Sequence, residues 1–445
     1  MSRYAVIGGT LWGNRGAEAM VATTIGRVRE RDPGASFLIM SYFPERDREL
    51  LTSTADPTAP DDDAGRPAPD RPEIRVVDAR PKDTVVQWVF AVLVRMAALL
   101  RLRLPDAVLP ESVRALRRCR ALFDVSGISF HDGRLAVVAY NLMCLWPAML
   151  LKVPVIRLSQ AMGPFRHPLN RLPARAMTKR AAHTFARGRH SAEHLRGLGV
   201  PDDRWSVAAD VAFAYRASDS LTRENDERVD ELAARLDRIR AGGTDVVAVV
   251  PSSLVMQKMN TDGTDYCALL EHLLSHLTAA GRHVLVLPNA TRAGTDQLRN
   301  NDIAVITQLR ERIAADPAGI DPQAVSYVDF DLNTASIRRL VEPCTLLVTS
   351  RFHAMVAGLA LCVPTLVMGW SHKYEEILEM FGCDEHAVDF SAAEAHLLPM
   401  TDRMLADHEA IRERIQKALP DVTASAESQF DLLERLDHSS VTSSG

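Results

Sequence analysis

Paired cysteines and a long uninterrupted apolar run are both missing from this chain of 445 residues. Its six cysteines form no CxxC pair and show no His/Cys metal spacing, which argues against a disulfide framework or zinc module and predicts buried thiols. The net charge of −5 provides no global positive field for nucleic acid. We therefore predict no nucleic-acid partner, no metal site and no cofactor.

A cleavable leader is also not evident, because the chain begins with a strand-like run at residues 4–7 and has no basic region before an apolar core. The expected location is therefore cytoplasmic. Apolar residues make up 47% of the chain, which is enough to bury the cores of two or three domains.

One segment, residues 84–104, comes nearest to a membrane signal. It is apolar for about 16 residues, contains Arg95 and ends in Arg101 and Arg103, so it is too short and too interrupted for a membrane span. A buried or partly exposed helix is expected. The alternative is an interfacial helix that docks the protein on the inner face of a membrane.

Strand-like and helix-like segments alternate through two long stretches of the chain, which predicts two α/β halves with parallel sheets and a cleft between them. The predicted domains are residues 1–215, a charged helical linker at 216–243, a second domain at 244–391, and a helical tail at 392–445 that packs back on the first domain. A helix is predicted over 262–280. Residues 54–72 are rich in Pro, Asp and Ala and are predicted to form a surface loop.

The most informative stretch is residues 345–370, a short strand followed by Ser350-Arg351-Phe352-His353, an Ala/Leu-rich helix and a second strand. Such a turn lies at the carboxyl edge of a parallel sheet, where open α/β folds bind ligands. Ser350 is a candidate N-cap of the helix. The helix N-terminus and Arg351 suit a carboxylate or phosphate, and His353 can move a proton at neutral pH.

Other polar residues follow strands of the first half. Asn14 and Glu18 lie where a glycine-rich loop becomes a helix, and Gln160 and Arg187 lie at later strand ends. These side chains can contact a ligand, or they can cap helices and hydrogen-bond loops.

Several motifs, in this order, resemble the polysaccharide pyruvyl transferase family. They are GGTLWGNRGAEA at residues 8–19, Gln160-Ala-Met-Gly163-Pro164, Ser350-Arg351-Phe352-His353 and Lys373-Tyr374-Glu375-Glu376. The chain departs from the family pattern at Pro288-Asn289 and Asn301-Asp302, on the acceptor side. The resemblance implies an α/β fold of two Rossmann-like domains facing across a cleft, as in GT-B enzymes.

The resemblance also implies an activity, namely transfer of the enolpyruvyl unit of phosphoenolpyruvate to a hydroxyl of a saccharide or lipid-linked glycan precursor. The product is expected to be a pyruvate ketal, with release of phosphate. In this scheme His353 is the general acid, and Arg351 and Arg187 bind the donor. The further predicted substrate-binding residues are Ser350, Phe352, Asn14, Glu18, Gln160 and Lys373.

Two alternatives stay open. A GT-B glycosyltransferase would bind a sugar nucleotide in the second domain, with Glu375 or Glu376 as the candidate for its ribose. A binding or scaffold protein of a cell-envelope assembly would explain the apolar segment 84–104, but it would have no use for the Arg-x-His turn. Architecture alone does not separate these functions.

Overall fold

The computed structural model describes residues 2–52, 73–222, 227–292, 295, 300–317, 319–369 and 372–435. The surface loop predicted over residues 54–72 lies outside these ranges. The described chain forms two compact units. Unit 1 is built from the described residues within Met1–Leu11, Ala19–Thr222 and Ala424–Gly445, and unit 2 from those within Trp12–Glu18 and Arg223–Thr423.

Unit 1 contains an eight-stranded sheet whose strands are short, apolar and mostly buried. They are β1 (Arg3–Ile7), β2 (Ser36–Ser41), β3 (Ile74–Asp78), β4 (Ala121–Asp124), β5 (Ile128–Ser129), β6 (Val155–Met162), β7 (His183–Arg187) and β8 (Trp205–Ala208). The order across the sheet is β3-β2-β1-β4-β6-β7-β8, with β5 beside β6. Every pair is parallel, so helices must return the chain between strands.

The described residues of this part of the chain form seven α-helices, and the first begins with residues of unit 2 and continues in unit 1. They are α1 (Arg15–Arg31), α2 (Pro44–Thr52), α3 (Pro81–Leu99), α4 (Glu111–Arg117), α5 (Leu135–Leu150), α6 (Pro168–Arg180) and α7 (Arg189–Gly197). Within the described ranges, no helix combines the length and apolarity that crossing a membrane requires.

Unit 2 contains a six-stranded parallel sheet. Its strands are β9 (Val246–Val250), β10 (His283–Val286), β11 (Val325–Tyr327), β12 (Leu346–Thr349), β13 (Thr365–Gly369) and β14 (Ala387–Asp389). The helices that follow α7 are α8 (Glu227–Ala241), α9 (Ser253–Thr261), α10 (Tyr266–Ala279), α11 (Asp302–Ala315), α12 (Thr334–Val341), α13 (Phe352–Ala360), α14 (His372–Glu379), α15 (Ala393–Ala406) and α16 (His408–Glu427).

Both sheets follow the Rossmann strand order. In unit 2 the order is β11-β10-β9-β12-β13-β14, so the direction of winding reverses between β9 and β12. In unit 1 the same reversal falls between β1 and β4. The predicted α/β class with two Rossmann-like units is confirmed. The carboxyl ends of these central strands are the places where such sheets bind ligands.

Two helix predictions were wrong in their extent. The charged segment predicted as one helix from residue 217 contains a short 3-10 turn, Ala217–Asp219, well before α8 begins. The turn is fixed because Asp219 is buried and accepts a hydrogen bond from Arg27 at 2.8 Å. The helix predicted over 262–280 is α10, which begins only at Tyr266 because the side chain of Asp265 caps it by accepting the N–H of Ala268 at 3.1 Å.

The end of α16 packs within unit 1. The hydroxyl of Ser425 accepts the N–H of Ala209 at 3.1 Å, and the side chain of Gln429 donates to the carbonyl of Ala209 at 3.0 Å. The ring of Phe430 lies 6.2 Å from that of Phe123. The six cysteines are free thiols and five are buried, which makes them small core residues.

Candidate functional site

The turn between β12 and α13 lies at the carboxyl end of a central strand of unit 2. Its N-cap residue is Arg351, which has an extended backbone, and no side chain caps the helix. The prediction of Ser350 as the N-cap was therefore wrong. The hydroxyl of Ser350 instead receives a hydrogen bond from the buried phenol of Tyr266, at 3.1 Å.

The guanidinium of Arg351 is fixed by two neighbours. Its Nε donates to Oδ1 of Asp302 at 3.1 Å, its Nη2 donates to the same oxygen, and Nη2 also donates to the hydroxyl of Ser253 at 3.2 Å. Asp302 is fully buried, whereas the side chain of Arg351 keeps 11% of its exposure. Arg351 thus has one edge anchored in the protein.

The carboxylate of Asp302 does more than pair with Arg351. It also accepts the backbone N–H groups of Ser253 at 3.0 Å, Asn289 at 3.3 Å and Ala290 at 2.8 Å. One buried carboxylate therefore joins the loops that follow β9, β10 and β12. A buried charge is stable only when it is paired and hydrogen-bonded in this way.

His353 occupies the first turn of α13 and is half-buried. Its ring meets that of Phe352 edge-on at a centroid distance of 5.1 Å, and the ring of Phe352 lies 5.9 Å from that of Tyr374. On another side the main chain of Gly16 approaches so closely that a Cβ atom there would overlap the imidazole. The ring of Phe352 and the main chain of Gly16 thus contact the imidazole on two sides.

The position of Gly16 depends on Arg15, which is buried. Arg15 donates to Glu18 at 3.0 Å and to both carboxylate oxygens of Asp331, at 2.7 and 2.8 Å. Burial opposes the charge, but the pKa of Arg15 is raised because Glu18 and Asp331 outweigh it. The N–H of Arg15 also donates to the carbonyl of Asn289 at 3.2 Å, next to the loop that Asp302 holds.

Asn14 and Glu18 have clear contacts in unit 2. Oδ1 of Asn14 accepts the N–H of Gly16 at 3.0 Å and so caps α1. Glu18 is buried, and its carboxylate accepts the N–H and hydroxyl of Thr334, both at 3.1 Å. These contacts give both residues a positioning role, and their predicted contact with substrate stays a prediction.

Arg187 lies in unit 1, at the end of β7. It donates to Asp210 at 2.6 Å, and both side chains are buried. Asp210 also caps a short 3-10 helix by accepting the N–H of Ala212 at 3.0 Å. The main chain of Gly127 is close by, since a Cβ atom there would stand 3.8 Å from Nη1 of Arg187. The donor-binding role of Arg187 stays a prediction.

Gln160 also lies in unit 1 and is fully buried. Its Oε1 accepts from Ser129 at 2.6 Å and from Arg157 at 2.5 Å, while its Nε2 donates to the carbonyl of Asp124 at 3.3 Å. Burial lowers the pKa of Arg157, and the nearby Asp124 carboxylate opposes that effect. Gln160 therefore belongs to a closed hydrogen-bond network, and substrate contact stays a prediction.

A cavity of about 30 Å³ adjoins this network where the strand order of unit 1 reverses. It is lined by Gly8, Asp124, Ser126 and Ser129 among others. Gly8 has φ +89°, and a Cβ atom there would come within 2.8 Å of Oδ1 of Asp124. The glycine is needed for both its backbone conformation and its close approach. The cavity has room for about one water molecule.

The structure brings most of the predicted residues together in unit 2. These are Ser350, Arg351, Phe352, His353, Asn14 and Glu18. Lys373 also lies in this unit, in α14, but its side chain is outside the described part of the structure. Arg187 and Gln160 belong to unit 1.

The sequence did not reveal the residues that hold Arg351 and Gly16, namely Asp302, Arg15 and Asp331. A signal existed for Asp302, because an Asp at the first position of a helix beside a strand-end loop is placed to bind N–H groups. Across the described ranges, no group of three His, Cys, Asp or Glu side chains is arranged to hold a metal ion.

Two solved structures with a similar fold are UDP-GlcNAc 2-epimerases. UDP-GlcNAc 2-epimerase from Neisseria meningitidis, bound to UDP-GlcNAc, matches with a TM-score of 0.58 and 10% identity over 98% of this chain and 100% of that one. UDP-GlcNAc 2-epimerase from Methanocaldococcus jannaschii matches with a TM-score of 0.54 and 8% identity over 98% of this chain and 100% of that one. At these identities the likeness shows a shared GT-B-like fold and nothing about the substrate.

The family is identified from the amino-acid sequence. A family model described as polysaccharide pyruvyl transferase matches residues 14–372. The matched range includes the start of α1, the loops that follow β9 and β10, and the Arg-x-His turn after β12. This chain belongs to the polysaccharide pyruvyl transferase family.

Proposed function

We propose that this protein transfers the enolpyruvyl unit of phosphoenolpyruvate to a hydroxyl of a saccharide or glycan precursor and releases phosphate. The observation that carries the proposal is the pair Arg351 and His353 at the carboxyl end of β12, beside the reversal of strand order. Membership of the pyruvyl transferase family supports the same transferred group.

Binding of the donor requires positively charged side chains. Phosphoenolpyruvate carries a carboxylate and a phosphate, and an arginine fork matches either group. Arg351 is oriented through Nε and Nη2, and within the described residues its Nη1 has no hydrogen-bond partner. An anion at that edge would meet a guanidinium that needs no reorganisation. We assign Arg187 as the second cation of the donor.

The chemical step uses His353 as general acid. Its imidazolium gives a proton to the methylene carbon of phosphoenolpyruvate, and C2 gains cationic character. The oxygen of a saccharide hydroxyl bonds to C2 and loses its proton, and the bond from C2 to the phosphate oxygen breaks. A second hydroxyl then bonds to C2, loses its proton and closes the ketal. Of the two hydroxyl protons released, one restores the imidazolium and the other leaves on the phosphate. General acid catalysis of this kind contributes about 10²–10⁴-fold.

The remaining predicted residues have supporting roles in the proposal. Phe352 packs beside the acid, and Ser350 ties the turn to Tyr266. Asn14, Gln160 and Lys373 are kept as predicted substrate contacts. The acceptor is a saccharide or a lipid-linked glycan, and its hydroxyls are the nucleophiles.

Ligand-induced thermal stabilisation tests the donor. Phosphoenolpyruvate at ~100 times its dissociation constant should add about 2.7 kcal/mol to the free energy of unfolding. UDP-GlcNAc serves as the comparison ligand, because a glycosyltransferase of this fold would bind a sugar nucleotide. Stabilisation by UDP-GlcNAc with none by phosphoenolpyruvate would overturn the proposal.

Two variants separate binding from chemistry. His353→Ala should keep stabilisation by phosphoenolpyruvate but lose at least about 10²-fold of acceptor-dependent phosphate release. Arg351→Ala should lose the stabilisation itself. The controls are His276→Ala and Arg310→Ala, since both residues make exposed ion pairs in unit 2. Full turnover by the His353 variant would remove this residue from the mechanism.

A further inference from the structure

Helix α3 has an inverted distribution of polar and apolar side chains. Its buried stripe is Thr84, Gln87 and Ala91. Gln87 donates from that stripe to the carbonyl of Asp78 at 3.2 Å. A surface helix of a globular protein normally buries its apolar face and exposes its polar one. Here the large apolar side chains point outward.

The exposed apolar side chains form a stripe along α3. They are Val85, Val86, Val89, Leu93 and Met96, with exposures between 42% and 52%, followed by Leu99 at 62%. The exposure continues past the helix end through Leu100 and Leu102. A helix of 19 residues is about 28 Å long, so this stripe runs across much of one face of unit 1. Single exposed apolar residues are ordinary, but a continuous stripe marks an interaction surface.

The helices beside α3 extend this surface. Helix α3 packs on α5, and α5 packs on α6. Helix α5 has no charged residue, and α6 exposes Leu169 and Leu172 at 69% and 66%. We call the outer face of α3, α5 and α6 the helical face of unit 1.

The charged residues of the helical face are mostly basic. Its three helices contain six basic residues and one acidic residue, Asp83. The basic residues are Lys82, Arg95, Arg171, Arg175, Lys179 and Arg180. Arg101 and Arg103 follow directly after α3. The whole chain has a net charge of −5, so this positive face stands out against an acidic protein.

We propose that the helical face of unit 1 docks on the surface of an anionic lipid membrane. The stripe of α3 would lie in the plane of the interface with its Val, Leu and Met side chains among the acyl chains. The basic side chains of α6 would meet the lipid headgroups, where each Lys or Arg strengthens binding roughly fivefold. This proposal does not depend on the donor or on the chemistry of the site in unit 2.

A second copy of the chain fits this face less well. A two-fold interface would bring the same patch from both copies together and place the basic residues of one against those of the other. An interface with another protein normally contains about one hydrogen bond per 100–200 Å² of buried area, so the patch would need exposed polar groups. The exposed stripe of α3 is aliphatic along most of its length, with Arg95 and Trp88 as its polar-headed members. Lipid acyl chains can cover an aliphatic surface of this kind without forming hydrogen bonds to it.

Flotation with lipid vesicles tests the proposal on the full chain. Vesicles of phosphatidylcholine with about 30% phosphatidylglycerol should carry the protein upward at about 0.1 M salt. Vesicles of phosphatidylcholine alone should carry much less. Salt near 1 M, where the Debye length is about 3 Å, should weaken the binding further.

Two double variants locate the surface. Leu93→Glu with Met96→Glu should abolish flotation, and Arg171→Glu with Arg175→Glu should lower the apparent partition coefficient at least ~10-fold. The apolar control is Val207→Glu, on the exposed edge strand of the same unit, and the charge control is Arg238→Glu with Arg240→Glu on α8. Circular dichroism and acceptor-dependent phosphate release with a soluble saccharide should be unchanged in all four.

The outcomes are distinct. No flotation of the wild-type protein with anionic vesicles overturns the proposal. Flotation that the two patch variants retain in full overturns it as well, because another surface would then be responsible. A dimer that the Leu93 and Met96 substitutions dissociate, without any flotation of the wild type, would identify a second copy as the occupant. Failure of phosphoenolpyruvate binding leaves the docking result untouched.

Discussion

The main chain of Gly16 lies directly against the imidazole of His353, and no Cβ atom fits between them. Gly16 is held there by Oδ1 of Asn14, which accepts its N–H at 3.0 Å, and by the buried ion pairs of Arg15. The start of α1 therefore forms one wall of the imidazole site. Its sequence determines where the candidate general acid stands.

The first prediction concerns this wall. Gly16→Ala should displace the imidazole of His353 by at least about an ångström, because the new Cβ atom would stand 2.0 Å from its Cγ, and a displacement of that size lowers catalysis by about 10²-fold. We expect kcat for phosphate release to fall while KM for phosphoenolpyruvate changes little. Steady-state kinetics measure the two constants separately. Gly34→Ala is the control, because a Cβ atom there meets nothing within 4 Å, and an unchanged kcat in Gly16→Ala would contradict the prediction.

The second prediction concerns the anchor of Arg351. Asp302→Asn removes a buried carboxylate that pairs with Arg351 and accepts three backbone N–H groups. The free energy of unfolding should fall by about 2–4 kcal/mol, because a mostly buried guanidinium loses its counter-charge. Urea unfolding measures the change.

The matched control for that experiment is Asp262→Asn. Asp262 pairs with Lys258 at the surface of the same unit, where such a pair contributes less than about 1 kcal/mol. Equal losses in the two variants would mean that the contacts of Asp302 add no more than a surface pair does.

The third prediction separates two roles of Arg187. Arg187→Ala leaves Asp210 buried without its partner and should cost about 3–5 kcal/mol of stability, so its loss of activity would not identify a substrate contact. Arg187→Lys keeps a positive charge but loses the planar fork. If Arg187 binds the donor, the lysine variant should remain folded and raise KM for phosphoenolpyruvate at least ~10-fold. A folded lysine variant with unchanged KM would leave Arg187 with a structural role alone.

Features that depend on residues close together in the sequence could be predicted, whereas contacts between residues far apart in the sequence could not. The strand-like run at residues 4–7 lies in β1, and the short strand expected before Ser350 is β12, because a short run of buried apolar residues between polar ones is a local pattern. The Arg-x-His turn was placed correctly at a strand end for the same reason. The wrong helix bounds come from specific hydrogen bonds that such a pattern does not contain, because Arg27 donates to Asp219 inside the segment predicted as one helix and the N–H of Ala268 donates to Asp265 at the start of α10.

The contacts around the candidate site were beyond such reasoning. Arg15 and Asp331 are paired across 316 residues of sequence, and Arg351 and Asp302 across 49. No periodicity or spacing encodes pairings of that kind, because they depend on which loops the sheet brings together. The burial of Glu18 and Gln160 belongs to the same class, and it gives both a structural contact where substrate contact was expected.

The last prediction concerns acid sensitivity. Burial, with the nearby Arg235 charge, lowers the pKa of His283 to about 4 in the folded protein. The ring accepts or donates a hydrogen bond with Ser326 at 3.0 Å and is almost fully buried. The unfolded chain should bind this proton near its ordinary pKa of about 6.5. Between these values the unfolded state binds more protons, so stability falls as the pH is lowered from about 6.5 to 4.

His283→Asn cannot titrate but can keep a hydrogen bond with Ser326. The wild type should lose up to about 3 kcal/mol from this group over that pH window, and the variant should show a correspondingly flatter dependence. Urea unfolding at a series of pH values measures both curves, and His396→Asn, at an exposed position on α15, is the control. The pKa of buried His183 in unit 1 is lowered in the same direction by burial, so some acid sensitivity should survive in the variant. Parallel curves for wild type and His283→Asn would show that the imidazole is protonated as readily in the folded unit as in the unfolded chain.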